Sequence, residues 1–207
     1  MNIRKLHFAF AAAIAALFSL GAAAAPNSWQ IDPQHSAAQF SVRHMGIATV
    51  RGEFHNVQGT VLLDESDITK SSVSVTMDAA SVDTREPARD KHLRSADFFD
   101  VEKYPAITFQ STRVEQSAPG KLKITGDLTI HGVSKSVVLE ADVPAAAIKD
   151  PWGNLRTAAS ATTKINRQDF GVKWNGKMDN GGWVVSDEVS ITLDIEMIRK
   201  PAPEPAK

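Results

Sequence analysis

Leu122-Lys123-Ile124-Thr125-Gly126-Asp127-Leu128-Thr129-Ile130 sets uncharged, mostly apolar side chains alternately against polar ones, and His131-Gly132 follows at once. A period of two puts Leu122, Ile124, Gly126, Leu128 and Ile130 on one face of an extended chain and the polar residues on the other. A helix would scatter the same residues around its girth. The segment is therefore a strand with one dry face, ended by a turn. Outward from it the signature repeats in both directions. Leu139, Ala141 and Val143 alternate beyond the turn, and Ile107 with Phe109 precede it. Further off, Ala38, Phe40, Val42 and then Val73, Val75, Met77 do the same, as do Val189, Ile191, Leu193, Ile195 and Met197. With Trp29 to Ile31, Phe54 to Leu63 and Thr157 to Ile165, the chain carries about eight strands. Turn-forming residues lie between them at Asp64 to Asp67, Ser117 to Gly120, His131-Gly132 and Asn180-Gly181-Gly182. Short connections mean antiparallel neighbours.

One segment departs from the pattern. Thr84 to Phe99 reads as a helix, with Thr84 as its cap and Pro87 in its first turn. Eight amphipathic strands hide their dry faces either by closing into a barrel or by stacking as two sheets. A single inserted helix suits the open end of a barrel better than a sandwich. The expected architecture is all-β, an eight-stranded antiparallel barrel with one helix capping an end.

The ends of the chain belong to something else. Arg4 and Lys5 precede an apolar stretch from Leu6 to Leu20, and Ala22-Ala23-Ala24 supplies the small residues of a signal-peptidase site. Pro26 argues for a cut after Ala24. Residues 1–24 are thus a signal peptide, 25–200 the folded domain, and 201–207, with three prolines, a solvated tail. Removing the signal leaves 183 residues and takes the formal net charge from −1 to −3. A chain of that length is one domain with a sizeable core. Mild acidity and the lack of any long Lys/Arg run exclude ordinary nucleic-acid binding. No apolar run after the signal spans a bilayer. With no cysteine there is no lipobox, disulfide or thiol chemistry. The expected location is the periplasm.

Candidate chemistry is sparse. Gly171 to Lys177 has phosphate-loop spacing, but Met178 stands where Ser or Thr would hold magnesium, and no strand-to-helix junction is expected there. The histidines beyond the signal, His35, His44, His55, His92 and His131, are never closer than nine apart, which disfavours a metal site. Arg89, Asp90, His92 and Arg94 form a charged group on the helix. They read as a latch of i, i+4 pairs among themselves and to nearby strands, with a ligand head-group site or a catalytic cluster as alternatives. Asn166, Arg167 and Asp169 read as a strand corner, though an Arg at a barrel mouth could also hold a phosphate. Thr157 to Thr163 is small on both faces. Either bulky neighbours such as Trp152 and Trp174 fill the space, the commoner outcome, or a cavity remains.

Taken together, several motifs resemble those of the YceI-like family of exported lipid-binding proteins. Trp29-Gln30-Ile31-Asp32-Pro33-Gln34-His35-Ser36, Phe40-Ser41-Val42-Arg43-His44-Met45 and Val50-Arg51-Gly52-Glu53-Phe54 match its opening. The most specific stretch is Arg89-Asp90-Lys91-His92-Leu93-Arg94-Ser95-Ala96-Asp97-Phe98-Phe99-Asp100 with Tyr104-Pro105. Gly126-Asp127-Leu128-Thr129-Ile130-His131-Gly132-Val133, Asn166-Arg167-Gln168-Asp169-Phe170-Gly171 and Asp187-Glu188-Val189 follow in the family order.

The resemblance implies a lipocalin-like barrel whose lumen holds a long polyisoprenoid, quinone-related or a prenyl phosphate, for transport or storage. It implies no catalytic residues, no metal and no cofactor beyond that lipid. The residues expected to line the tail site are Phe40, Val42, Val75, Met77, Ile107, Phe109, Leu128 and Ile191, with Leu93 and Phe98 closing the lid. Arg43, His92, Arg94 and Arg167 are expected at the head group on charge and rim position. Alternative readings are a stress-linked binder of a fatty acid or amide, and a hydrolase or isomerase acting on a prenyl substrate. Expected partners are the lipid, a transient membrane contact and a second barrel paired through an edge strand, with no nucleic acid.

Overall fold

The structure, a computed structural model, describes residues 27–199. The segments expected to be a signal peptide and a solvated tail lie outside the described residues. Alternating sequences become twelve strand segments: β1 (Asn27–Ile31), β2 (Ala37–His44), β3 (Ala48–Phe54), β4 (Gln58–Leu63), β5 (Ser72–Asp78), β6 (Val82–Asp83), β7 (Ala106–Ala118), β8 (Lys121–Ile130), β9 (Val133–Asp142), β10 (Ile148–Lys149), β11 (Leu155–Asn166) and β12 (Val185–Arg199). Every pairing is antiparallel.

Eleven of the twelve segments make eight staves. β1 and β2 lie end to end along β12, with Gln30 opposite Ile198 and Ala38 opposite Leu193. β3 and β4 likewise share a stave, as do β5 and β6. From there the order β5-β7-β8-β9-β11-β12 closes the ring, leaving β10 as a short ribbon beside β11. The eight-stranded antiparallel barrel expected from the sequence is the fold. The Phe54 to Leu63 stretch is broken at His55–Val57, where Asn56 has φ 60°.

Neighbouring staves are joined in sequence by local turns, and those turns sort into two ends. The upper end carries the 45–47 turn, the long 79–105 connection, the His131-Gly132 turn and the 167–184 connection. His131 (φ 52°) and Gly132 (φ 72°) both take the left-handed conformation that a two-residue hairpin between Ile130 and Val133 requires. The lower end is filled by Trp29 and Met197, each 1% exposed, packed with Val61 and Leu63.

The helix is shorter than expected. α1 runs Pro87–Arg94, and its cap is Glu86, whose carboxylate accepts the Ala88 N–H at 3.3 Å. Thr84 is instead buried and gives both its N–H (2.8 Å) and its hydroxyl (2.5 Å) to Asp90 Oδ1. Ser95 ends the helix, and Phe98, Phe99 and Asp100 turn back through N–H bonds to Ser95, Leu93 and Ser95 carbonyls. Asp90 and Arg94 do not pair with each other. Arg94 donates to the carbonyls of Ala80 and Val82, both at 2.7 Å, so the latch ties the helix to the segment before it and not to itself. A fixed backbone carbonyl offers Arg94 a better-ordered partner than a side chain one turn away that Thr84 has already engaged.

Candidate functional site

Inward side chains of the eight staves leave a cavity of about 440 Å³. Its wall runs from Leu63, Ile68 and Leu122 near the floor to His92, Phe98 and Trp174 at the roof. Strand parity decides what faces it. On β2 the lining residues include Ala38, Phe40, Val42 and His44, and on β5 Val73, Val75 and Met77. On β7 the inward residues are Ile107, Phe109 and then Val114, because a bulge between Ser111 and Arg113 flips the parity. Leu128 of β8 and Ile191 of β12 complete the wall expected from the sequence. All ten residues expected around a tail border the lumen, Leu93 and Phe98 at its roof.

Two details keep the lumen open. Ala159, Ala161 and Thr163 of β11 face it with little bulk. The large neighbours expected to fill that space do not: Trp152 is 78% exposed at the lower end, and Trp174 sits at the roof. β11 is a straight stave paired with β12 along its whole length, which leaves Trp152 on a turn below it, unable to reach in. Gly52 and Gly126 let aromatic rings lie flat on the wall. A Cβ at Gly126 would stand 2.4 Å from Phe109 Cζ, and one at Gly52 2.5 Å from Phe40 Cζ.

The roof is aromatic. Phe98 and the His92 ring meet edge-on at 5.0 Å, His92 and Trp174 at 4.9 Å, and Phe98 leans on Trp174 at 5.2 Å. Phe99, Phe54 and Phe40 continue the row at 5.4 and 5.6 Å. His92 Nε2 lies 2.8 Å from Asp97 Oδ2, which orients the imidazole.

Polar groups at the roof fall differently from expectation. His92 and Arg167 border the lumen, whereas Arg43 and Arg94 do not, which corrects the head-group assignment of those two. Arg43 lies on the outer face of β2, bonded to Thr49 Oγ1 and the Gly46 carbonyl, both at 2.9 Å. Parity explains it, since Val42 and His44 on either side point inward. Arg94 is turned toward Ala80 and Val82. Arg167 is 5% exposed and holds the wall together, donating to the carbonyls of Val172 (2.8 Å), Trp174 (2.8 Å) and Ser186 (3.0 Å) and to Asp187. Burial pulls its pKa down, against the opposing charge of Asp187. Arg89, named in the charged helix group but not among the four expected head-group residues, borders the lumen; its guanidinium gives Nε to Thr84 Oγ1 (2.7 Å) and Nη2 to the Thr84 carbonyl (2.9 Å). Helical spacing held the signal. Arg89, His92 and Leu93 stand at i, i+3 and i+4, so the face that brings Leu93 to the lid brings Arg89 and not Arg94.

A second polar cluster lies on the barrel's outer wall. Arg156 donates to Asp32 (2.7 Å), Asp150 (2.8 Å) and Glu196, and His35 Nδ1 lies 3.0 Å from Asp32. Burial raises the Asp32 carboxyl, but bonds from Arg156, His35 and the Gln34 N–H outweigh it and hold it at about 2. Asp150 is likewise held at about 2, desolvation being outweighed by Arg156 and Asn154. Asp32, His35 and Glu196 have the donor types of a metal site, but the Arg156 cation already bonds to both carboxylates. The cluster staples the β1–β2 bend to β11 and β12.

Comparison with known proteins places this geometry in context. A family profile described as the YceI-like domain matches residues 29–197. The chain is similar to protein YceI of Escherichia coli, 40% identical over 186 residues that cover 89% of this chain and 93% of the relative. Among solved structures it is similar to the Campylobacter jejuni YceI protein, at 32% identity and a TM-score of 0.64, covering 77% of this chain and 90% of that one. A polyisoprenoid-binding domain from Saccharophagus degradans shares the fold at 15% identity, with a TM-score of 0.59 and coverage of 82% and 97%.

Proposed function

We propose that this chain, which belongs to the YceI-like family, is a periplasmic, non-catalytic carrier that holds a long polyisoprenoid lipid in its lumen for transport or storage. The observation that carries the reading is the continuous apolar cavity of about 440 Å³ between a filled floor and an aromatic roof. Its wall is overwhelmingly apolar, with Arg89, His92 and Arg167 at the roof and Ser71 and Asp142 at the lower end. The Saccharophagus domain of the same fold is described as polyisoprenoid-binding, and we extend that ligand class to this chain.

Energetics favour a carrier over a trap. Burying a methylene is worth ~0.8 kcal/mol against water, so a long tail summed that way would exceed any observed affinity, which saturates near about −20 kcal/mol. The true reference is the bilayer, already as apolar as the lumen. Exchange between them is nearly neutral, and selection rests on lumen shape and the head group. Arg89 and His92 on α1 are the polar groups we assign to the head group, with Arg167 as a positioning residue. The non-catalytic reading is supported by how the roof's acid–base groups are used. Asp90 is buried and accepts both the N–H and the hydroxyl of Thr84.

Native mass spectrometry of protein purified from the periplasm, followed by solvent extraction, tests the proposal. The expected result is a bound species whose homologues differ by isoprene units. A fatty acid or amide in its place transfers the lumen to that ligand class. Chemical change in an added prenyl lipid during incubation with the protein would overturn the non-catalytic reading.

A further inference from the structure

The barrel's upper end carries exposed apolar side chains beside the roof. Ile47 is 81% exposed, Trp183 56% and Met45 43%. Two connections bring them to one place. Met45 and Ile47 form the turn between β2 and β3, and Trp183 lies on the 174–184 ribbon, which is folded on itself through the Lys177–Trp183 bridge. The Met45 N–H donates to the Val184 carbonyl at 2.8 Å, which binds turn and ribbon together. The immediate neighbours of these residues, His44 and Val184, line the lumen. Each element thus turns one residue inward to the cavity and the next outward.

Charge at this end runs against that of the molecule. Arg43 at the end of β2 and Lys173 and Lys177 of the 167–184 connection are exposed here, against the exposed carboxylates of Asp169 and Asp179. The domain as a whole, without its first 24 residues, carries a formal −3. A local excess of cations around exposed Trp, Ile and Met side chains matches an anionic bilayer surface, where the rings and branched chains enter the headgroup boundary and the cations meet phosphates.

We infer that the 45–47 turn and the 174–184 ribbon form a docking surface for an anionic phospholipid bilayer, placing the roof of the lumen against the membrane. The contact takes its purpose from the carrier reading, but its existence does not depend on any lumen ligand. The lower end supplies the competing face, because Trp152 and Ile148 are also exposed there, with Lys149 beside them.

Co-sedimentation with vesicles of phosphatidylethanolamine and phosphatidylglycerol, against vesicles of phosphatidylcholine, reads the contact. Binding is expected to the anionic vesicles and to weaken as salt rises. Ile47→Asp and Trp183→Asp should each lower the bound fraction by about tenfold, while Trp152→Asp leaves it unchanged. These side chains are solvent-exposed, so urea midpoints should stay at the parent value and confirm folding. Loss of binding in Trp152→Asp with retention in Ile47→Asp and Trp183→Asp would sink the inference, as would failure of the parent protein to bind either vesicle. Uptake of a polyprenol from detergent micelles, followed in parallel, separates the two proposals. Docking variants should keep that uptake, whereas a parent protein that docks but takes up nothing contradicts the carrier reading alone.

Discussion

At the level of single residues, the lumen is shaped as much by what is small as by what is large. Gly126 is the clearest case. Gly126→Ala places a methyl 2.4 Å from Phe109 Cζ and 2.6 Å from the Gln110 carbonyl, so the ring must swing into the cavity or the strand must move. The expected cost is about 1–3 kcal/mol, read from the urea midpoint, together with reduced uptake of lipid. Most tail-facing positions were legible from sequence because side-chain parity in a strand is a property of the backbone. Phe40, Val42, Val75 and Met77 needed only the period of two. Arg94 was not legible, since a guanidinium goes where the best-fixed carbonyls are, and those belong to residues 80 and 82. The position of Arg43 follows from parity alone. It follows an inward valine, so the same parity that placed Val42 sends Arg43 to the outer face.

Among the elements, α1 and the seam between β9 and β11 behave differently from the rest of the wall. Thr84 and Asp90 anchor the helix to its own approach, with two donors on one carboxylate oxygen. Asp90→Ala strands a buried N–H and a hydroxyl, and should cost about 2 kcal/mol and speed release of a bound lipid. Asp90→Asn, whose amide oxygen can still accept, should recover part of both, as stopped-flow transfer to acceptor vesicles would show. The sequence marks the start of the helix, with Pro87 in its first turn, more plainly than its stop. In the structure Ser95 breaks the run and successive turns deliver the two phenylalanines to the roof instead. The seam offers a second expectation. β9 and β11 pair at only two register positions, Ala161 with Ala141 and Thr162 with Glu140, whereas β8 and β9 pair along ten. Amide hydrogen exchange should therefore find β9–β11 opening faster than β8–β9.

For the molecule as a whole, eight staves and one closure were legible because alternation, turn spacing and length all pointed to the same architecture. The external staple was not, for Arg156, Asp32, Asp150 and Glu196 meet only after the ring has closed. That staple sets an acid limit. Asp32 and Asp150 titrate at about 2, below the ordinary 3.8, so their contribution is complete above pH 3.8 and lost as pH falls through about 2. Arg156→Met should lower the melting temperature by a nearly constant amount from pH 7 to about pH 4, and the gap should close toward pH 2. A gap that stayed constant down to pH 2 would assign Arg156 a packing role alone. The pairing of β1 with β12 has one further consequence. Gln30 and Ile198 are register partners, so the first and last staves run side by side, and both described ends lie at the floor, away from the lid. Topologically the folded chain is a loop with a nick in it. A short peptide could seal that nick, and new termini could be cut at the Pro119-Gly120 hairpin on the same floor, giving a circular permutant whose lid and lumen are untouched. The same arrangement lets the barrel be grafted by either end onto a solid support with its roof facing outward.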